Sequence, residues 1–390
     1  MDNKLKTPIV FLINSLCEGG AERAMLTLAK EFNATNHKIT ILALTKNNFY
    51  PIPEGVEVVY LSKMDDSLSG LIKMLYIPYH AWKLKQYLRE NQSELVHSYL
   101  FRANFVNLVS GLIGSKQIIQ VVNRSVVSRF YSEGISGKIN LFLIGKLYPR
   151  ADMVIHISKQ MKSDFNKHFF ITKNERVIYN PYDIKAVVKE SDEGIEGFTF
   201  ESHKRYLITV GRLIPLKRFG DVLEAMSQLD SDIELILLGD GSERKNLEDQ
   251  TKLLGLEKRI HFMGQVQNPF KYIKKSDIFI SSSSVEGFPN VLLESMLCKT
   301  AIVSSDCLSG PREILAPKSN HAKRLQSGME LSEFGILYGV GDVVGLVKGV
   351  RTLLGDEQLR HSYEEKAFDR AKDFSVDTIV SEYKKVLNYE

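Results

Sequence analysis

Cysteine is scarce in this sequence: 390 residues contain only Cys17, Cys298 and Cys307. No two of them have the spacing of a metal-binding pair, and three are too few for a disulfide framework. This scarcity excludes a cysteine-based metal site and a disulfide-stabilised fold. It fits a protein that stays in a reducing compartment.

Long apolar runs are also missing. No stretch approaches the ~20 apolar residues that a membrane-spanning helix needs. The first apolar run, PIVFLINS at residues 8–15, leads into Gly19-Gly20, which is typical of a first β-strand and not of a signal peptide. We therefore expect a cytoplasmic location, with attachment to the inner face of the cytoplasmic membrane left open.

Neither sign of charge dominates the chain as a whole, because the net charge is +4. Residues 1–190 nevertheless carry 25 Lys and Arg against 16 Asp and Glu, whereas residues 191–390 carry 26 against 31. An anionic membrane surface would attract the basic first half, but lysines that contact only solvent explain the excess equally well. No dense basic stripe with stacking aromatics is present, so no nucleic-acid partner is expected.

Short β-rich runs alternate with helix-like runs along most of the chain, which favours an α/β fold with parallel sheets. The pattern breaks in the acidic stretch 189–203 and then restarts with a second strand and glycine turn. We predict two Rossmann-like domains facing across a cleft, with ligands at the carboxyl ends of the strands. The predicted parts are a first domain at 1–190, a linker at 191–203, a second domain at 204–372, and a C-terminal helix at 373–390 that packs back on the first domain.

The most informative segment is SSSSVEGFPNVLLESMLC at residues 281–298. It predicts a strand, a serine-rich turn and a helix with Pro289 in its first turn. A helix N-terminus beside Gly287 is suited to an anion such as a nucleotide diphosphate, because its N–H groups and its dipole favour negative charge. Glu286 lies at the mouth of this site. Glu294, two turns later, is placed to accept hydrogen bonds from a ribose diol.

The spacing of Glu286 and Glu294 resembles the E-x7-E signature of the retaining glycosyltransferase family 4, which has the GT-B fold. Other segments are similar to that family in the same order: GGAER at 19–23, VIYNPYD at 177–183, GRLIPLK at 211–217, LLGDGSERKNLE at 237–248 and HFMGQVQN at 261–268. CLSGPREIL at 307–315 resembles members that build bacterial O-antigens and capsules. One such motif is weak by itself, but several in the right order are not expected by chance.

The resemblance implies a mechanism for transfer from a nucleotide sugar. Arg212 and Lys217 would stabilise the leaving diphosphate electrostatically, so that neither a metal nor another cofactor is required. Glu286 would contact hydroxyls of the donor sugar and is not assigned as a covalent nucleophile. Glu286 would also support an oxocarbenium-like transition state. The alternative is front-face attack, in which the leaving phosphate itself accepts the proton of the acceptor. The other residues implied in donor binding are Gly19, Gly20, Gly211, Gly239, Gly241, Gly287, Phe288, Pro289, Asn290, Val291 and Glu294.

The first domain departs from the family at one position. Many members carry a histidine after the strand that corresponds to residues 117–122, and this chain has Asn123 and Arg124 there. Which of the two replaces the histidine is left open. His97 matches a separate family histidine, and it fits a contact with the donor sugar or acceptor and a core position equally well.

The acceptor is less well specified. Residues 68–88 and 125–150 mix apolar, aromatic and lysine side chains, as helices at a membrane interface do, although Pro78 interrupts the first stretch and core helices show the same mixture. The expected acceptor is a glycan or a polyprenyl-diphosphate-linked oligosaccharide of a bacterial surface polysaccharide. A UDP-sugar carrying a hexose or an N-acetylhexosamine is the preferred donor, with GDP-mannose next.

Other classes of protein share parts of this pattern. A sugar-nucleotide epimerase would need its own acid–base residues, which are not evident, and a non-catalytic sugar-nucleotide-binding protein would not need Glu286. A nicotinamide-dependent oxidoreductase is disfavoured because Gly19-Gly20 does not extend to Gly-x-Gly-x-x-Gly. Asp230-Ser231-Asp232 resembles a metal-binding Asp-x-Asp but is predicted to be a solvated loop.

Overall fold

The computed structural model of this chain describes residues 8–17, 19–35, 37–64, 68–170 and 174–387. The chain divides into two compact units. Unit 1 consists of Met1–Tyr182 and Val376–Glu390, and unit 2 consists of Asp183–Ser375.

Strands and helices alternate along the described part of unit 1. The strands form one parallel sheet of seven strands, in the order β3-β2-β1-β4-β5-β6-β7. In chain order the elements are β1 (Pro8–Ile13), α1 (Gly20–Ala34), β2 (Lys38–Ala43), β3 (Glu57–Tyr60), α2 (Gly70–Leu75), α3 (Ile77–Glu90), β4 (Leu95–Tyr99), α4 (Phe101–Leu112), β5 (Ile118–Asn123), α5 (Gly134–Leu147), β6 (Met153–His156), α6 (Lys159–His168) and β7 (Glu175–Val177).

Unit 2 repeats this arrangement. Its sheet has the order β10-β9-β8-β11-β12-β14-β13, and all neighbours are parallel except β13 and β14. The elements are α7 (Ile184–Ser191), β8 (Arg205–Val210), α8 (Phe219–Ser227), β9 (Ile233–Leu238), α9 (Arg244–Leu253), β10 (Ile260–Gly264), α10 (Phe270–Lys275), β11 (Ile278–Ser281), α11 (Asn290–Leu297), β12 (Ala301–Ser305), α12 (Pro311–Leu315), β13 (Met329–Leu331), β14 (Ile336–Tyr338), α13 (Val343–Gly355) and α14 (Glu357–Ala371).

The last helix, α15 (Val376–Leu387), belongs to unit 1. The Gln120 side chain in β5 donates a hydrogen bond of 2.6 Å to the carbonyl of Val386, and the Tyr383 ring packs edge-on against His97 at 5.4 Å. At the other boundary, residues 183–190 belong to unit 2, whereas the sequence-based range placed them in the first domain.

Burial on both faces explains why the central strands are continuous apolar runs. The six residues of β9, IELILL, are all buried, and so are five of the six residues of β1. Each unit has its own hydrophobic core, formed by the sheet and the helices against it. The predicted fold, two Rossmann-like α/β domains with parallel sheets, is confirmed.

The sequence-based strand assignment missed β7 and β13. Each has only three residues, and each lies at an edge of its sheet. An edge strand is covered less than a central one, so its sequence needs no apolar run: β7 reads ERV and β13 reads MEL. The pattern that identifies central strands is therefore absent from both.

Candidate functional site

The point where the strand order reverses in unit 2 lies between β8 and β11. The chain continues from β8 to β9 on one side and from β11 to β12 on the other, and such a switch point leaves room for a ligand beyond the strand ends. Gly211 follows β8, and the serines and Glu286 follow β11. Within unit 2, the motif after β8 and the motif after β11 therefore lie together at the carboxyl ends of two neighbouring central strands.

Two of the three predicted catalytic residues are in direct contact. The Lys217 ammonium donates a hydrogen bond of 2.6 Å to Oε1 of Glu286. The Ser283 hydroxyl donates to the same oxygen, also at 2.6 Å. The side chains of Lys217 and Glu286 are 21% and 13% exposed, so a ligand can reach both.

The serine-rich turn ties the two strand ends together. The Ser282 hydroxyl donates to the carbonyl of Lys217 at 2.6 Å. The Ser284 N–H donates to the carbonyl of Leu216 at 2.8 Å, and its hydroxyl bonds the same oxygen. These bonds fix the short 3₁₀ turn Pro215–Lys217 against the segment that carries Glu286.

Arg212 differs from Lys217 in having no internal partner. Its side chain is exposed and makes no hydrogen bond or ion pair with any residue in the described ranges. It follows Gly211, whose φ of +154° favours glycine and on which a Cβ would lie 3.5 Å from Cε of Lys217. Arg212 thus exposes a guanidinium, with its planar set of donors, one residue after the glycine that packs near Lys217.

Gly239 and Gly241, predicted to contact the donor, have a packing role in this structure. A Cβ on Gly239 would lie 2.0 Å from the carbonyl oxygen of Gly211, and one on Gly241 would lie 2.5 Å from that of Leu213. Both residues also have positive φ, +133° and +157°. The close approach of two backbones therefore explains these glycines without a ligand.

Helix α11 carries the second half of the motif. It begins at Asn290, so that Pro289 precedes the first turn instead of lying within it, which corrects the sequence-based placement. Phe288 is buried and packs against Phe374 at 5.6 Å. Glu294 is only 5% exposed. Gly287, Asn290 and Val291 are half-buried and are the members of this group that border solvent.

The glycine loop of unit 1 follows β1. Gly19 and Gly20 lie at the start of α1, and the Arg124 guanidinium donates to the carbonyl of Gly20 at 3.1 Å. A Cβ on Gly19 would lie 2.3 Å from a carboxylate oxygen of Glu22. The buried Glu22 carboxylate thus lies directly against Gly19 at the start of α1.

Asn123 and Arg124 differ in their surroundings. Asn123 ends β5 and is 1% exposed, and its side-chain amide lies 3.4 Å from Nδ1 of His156. Arg124 is half-buried, and its guanidinium lies 5.9 Å from the centre of the Tyr99 ring. Of the two, Arg124 has the more accessible side chain.

His97 lies inside β4 rather than after it, and it is completely buried. Its Nδ1 lies 2.9 Å from the side-chain oxygen of Gln120, and the rings of Phe11, Tyr99 and Tyr383 surround it. Burial lowers the pKa of His97 to about 4, so the ring is neutral at pH 7. Of the two interpretations left open, the structure supports the core position.

Comparison with known proteins identifies the family. The model described as "Glycosyltransferase Family 4" matches residues 18–186, and the one described as "Glycosyl transferases group 1" matches residues 190–370. The Campylobacter jejuni N-acetylgalactosamine-N,N'-diacetylbacillosaminyl-diphospho-undecaprenol 4-alpha-N-acetylgalactosaminyltransferase is 30% identical over 364 residues, which are 93% of this chain and 94% of that protein. The chain belongs to glycosyltransferase family 4.

Two further proteins resemble this glycosyltransferase over nearly its whole length. A second C. jejuni enzyme, the GalNAc-alpha-(1->4)-GalNAc-alpha-(1->3)-diNAcBac-PP-undecaprenol alpha-1,4-N-acetyl-D-galactosaminyltransferase, is 28% identical and matches 97% of this chain and 98% of its own. The structure of Anabaena HepE in complex with UDP-glucose superimposes with a TM-score of 0.76, covering 98% of this chain and 100% of that one at 20% identity. The structural likeness shows the fold.

In this family 4 glycosyltransferase, sequence reasoning did not recognise the role of Ser282, Ser283 and Ser284. The signal was present, since four consecutive serines follow β11. A run of small hydroxyl residues beside a carboxylate is suited to short hydrogen bonds with neighbouring backbone and side-chain oxygens.

The Asp-x-Asp sequence lies away from this site. Asp230 and Asp232 are exposed and precede β9, at the opposite end of the sheet from Gly211. Among the described residues, no cluster of three or more His, Cys, Asp or Glu side chains could hold a metal ion. Among the helices described, none is both long and apolar enough to cross a membrane.

Proposed function

We propose that this glycosyltransferase moves a hexose or an N-acetylhexosamine from a nucleotide sugar to a glycan acceptor with retention of configuration. The observation that carries the proposal is the Lys217–Glu286 pair in the loops that follow β8 and β11, with the exposed Arg212 in the first of these loops. A diphosphate and a sugar are the two halves of such a donor. The cations suit the first half and the carboxylate suits the second.

Charge stabilisation is the proposed role of Lys217 and Arg212. As the bond to the sugar breaks, negative charge grows on the diphosphate, and fixed cations lower the energy of that state. Arg212 has no partner to give up among the described residues, whereas Lys217 must exchange its bond with Glu286 for one with phosphate. The first turn of α11 adds the positive end of a helix dipole. No step in this scheme requires a divalent metal.

Recognition of the donor sugar is the proposed role of Glu286. Both observed hydrogen bonds end on Oε1, and Oε2 accepts none from the described residues. Oε2 can therefore accept from a sugar hydroxyl, and the carboxylate charge would stabilise an oxocarbenium-like centre that forms next to it. Front-face attack, with the leaving phosphate as base, uses the same placement. We do not assign a covalent intermediate to Glu286.

A UDP-sugar is the preferred donor, and a lipid-linked precursor of a bacterial surface polysaccharide is the preferred acceptor. The names of the two C. jejuni relatives describe N-acetylgalactosamine transfer to undecaprenol-linked glycans, and HepE has been solved with UDP-glucose. These activities and ligands are those of the related proteins, and they support the same preference for this chain. A GDP-mannose-dependent mannosyltransferase is the alternative that the same site could serve.

A peripheral contact with an anionic membrane would bring the enzyme to such an acceptor. Helices α2 and α3 expose Leu75, Tyr79 and Trp82, with Lys73 and Lys83 beside them in sequence. Apolar and aromatic side chains next to lysines are typical of helices that lie at a membrane interface. A cytoplasmic location at the inner face of the membrane follows from this proposal.

The test is release of nucleotide from purified protein in EDTA, with a panel of UDP- and GDP-sugars. Slow release from one donor, lost in Glu286→Ala and in Lys217→Ala, would support the mechanism and identify the donor. Failure of UDP and GDP to bind in calorimetry would refute the proposal. Release that required a divalent metal would refute the metal-independent site, and conversion of the sugar without transfer would indicate an epimerase.

A further inference from the structure

One short segment holds the backbone of Glu286 from both sides. We call residues 306–310 the clamp segment. The Glu286 N–H donates to the carbonyl of Leu308 at 2.7 Å, and the Ser309 N–H donates to the carbonyl of Glu286 at 3.0 Å. These bonds extend the pairing of Val285 with Leu308 beyond the ends of β11 and β12. The position of Glu286 is thus set by a segment that starts immediately after β12.

The clamp segment also contacts the residues that follow Glu286. The Ser309 hydroxyl, which is fully buried, donates to the carbonyl of Gly287 at 2.5 Å. Gly310 has φ of +100°, and a Cβ there would lie 2.3 Å from Cδ of Pro289. The two segments are therefore packed backbone against backbone between Glu286 and the start of α11.

A buried ion pair anchors the clamp segment at its start. Asp306 is completely buried and accepts hydrogen bonds from Nε and a terminal nitrogen of Arg312, the shortest at 2.7 Å. Arg312 also donates to both carboxylate oxygens of Glu330, at 3.1 and 3.0 Å. A guanidinium that binds two carboxylates in bidentate fashion has little freedom to move.

The Glu286 carboxylate itself is held through one oxygen. Ser283 donates to Oε1, and the carbonyl of Ser283 in turn accepts from the hydroxyl of Ser305, the last residue of β12, at 2.6 Å. The orientation of the carboxylate is therefore linked to the same strand that leads into the clamp segment. Among the described residues, none donates to Oε2, so this oxygen remains available to a ligand.

We propose that Ser283 and Ser309 are positioning residues for Glu286: Ser283 fixes the carboxylate through Oε1, and Ser309 fixes the backbone. The proposal rests on the proposed function, because it assigns Oε2 to the donor sugar. Neither serine is assigned a contact with substrate. Loss of either hydroxyl should therefore disturb the sugar end of the donor and leave the nucleotide end intact.

The test compares Ser283→Ala with Ser276→Ala, a matched control. Ser276 is also buried in unit 2, and its hydroxyl donates to the carbonyl of Tyr272. For Ser283→Ala we expect kcat for the preferred donor to fall roughly ten- to hundred-fold, as for loss of a hydrogen bond to a charged group. The Kd for the nucleoside diphosphate should stay within about twofold of wild type, because that interaction is not removed. Ser276→Ala should lower Tm without changing kcat.

Wild-type kcat in Ser283→Ala would overturn the proposal, and so would a parallel loss of turnover and nucleotide affinity. A second readout needs no substrate: hydrogen exchange of the Glu286 amide should be faster in Ser309→Ala than in Ser276→Ala. Equal exchange in the two variants would overturn the role of Ser309. If wild type bound no nucleotide, the proposed function would fail, and the exchange measurement alone would then decide whether Ser309 holds Glu286.

Discussion

Neutralising Glu286 and removing the charge of Lys217 should change nucleotide affinity in opposite directions. In this structure the ammonium that is proposed to bind the diphosphate is paired with Glu286 at 2.6 Å. Glu286→Gln keeps the shape of the side chain but removes its charge. The ammonium then loses a strong partner, and a negative charge disappears from beside the phosphate site.

The magnitude follows from the geometry of this pair. A hydrogen bond to a charged group contributes about 1.5–3 kcal/mol net. Because both side chains are partly exposed, at 21% and 13%, we take the lower end. About 1.5 kcal/mol corresponds to roughly tenfold in affinity, so Glu286→Gln should bind UDP about tenfold more tightly while losing transfer. Lys217→Met should bind UDP about ten- to hundred-fold more weakly, because it loses a charge-assisted contact.

The assay is calorimetric titration with UDP in EDTA, or with GDP if that is the nucleotide that binds. Glu248→Gln is the matched control, since it changes the net charge equally and breaks an ion pair of 2.6 Å with Arg244 on α9. It should leave the affinity unchanged. Weaker binding by Glu286→Gln, or changes of the same sign in the Glu286 and Lys217 variants, would refute the idea that Glu286 and the diphosphate compete for the Lys217 ammonium.

Three other predictions follow from the same structure. Gly239→Ala should lower Tm strongly, because its Cβ would lie 2.0 Å from a carbonyl oxygen, whereas Gly194→Ala, with nothing within 4 Å, should not. Trp82, the one tryptophan in the sequence, is 47% exposed, so its fluorescence should shift to shorter wavelength with anionic vesicles and not with neutral ones. The pKa of His97 is about 4 in the folded protein and 6.5 in the unfolded chain, so the unfolded chain binds more protons between these two pH values. The free energy of unfolding should therefore fall as the pH drops from 6.5 to 4. This fall should be smaller in His97→Phe.

The sequence predicts the fold well wherever an element is buried on both faces, because burial requires a continuous run of apolar residues. Central strands such as β1 and β9 are apolar throughout because both of their faces are covered. The Glu286 motif is equally visible, because its chemistry needs particular residues at a particular spacing. The edge strands β7 and β13 left no such pattern, since their few residues are only partly covered.

Contacts between distant parts of the chain could not be predicted from the sequence. From the sequence, Gly239 resembles a residue of a phosphate-binding loop. The structure shows that a Cβ at this position would lie 2.0 Å from the carbonyl oxygen of Gly211. From the sequence, His97 resembles a residue at a strand end. The structure shows that Tyr383 of α15, nearly 300 positions later in the chain, packs against it. In both cases the sequence reveals the motif but not the segment that packs against it. The spacing of residues within one segment carries no information about which distant segment contacts it.

The pairing of Lys217 with Glu286 also bears on how the enzyme would discriminate a nucleotide sugar from the nucleotide alone. In the proposed mechanism UDP takes the ammonium from Glu286 and leaves the carboxylate with Ser283 as its remaining donor. A nucleotide sugar takes the ammonium too, but its hydroxyls return a hydrogen bond to the carboxylate. The two charges are thus both satisfied only by the complete donor. Because Glu286→Gln removes the charge that UDP leaves uncompensated, the variant should bind UDP more tightly and retain a smaller preference for UDP-sugar over UDP than wild type.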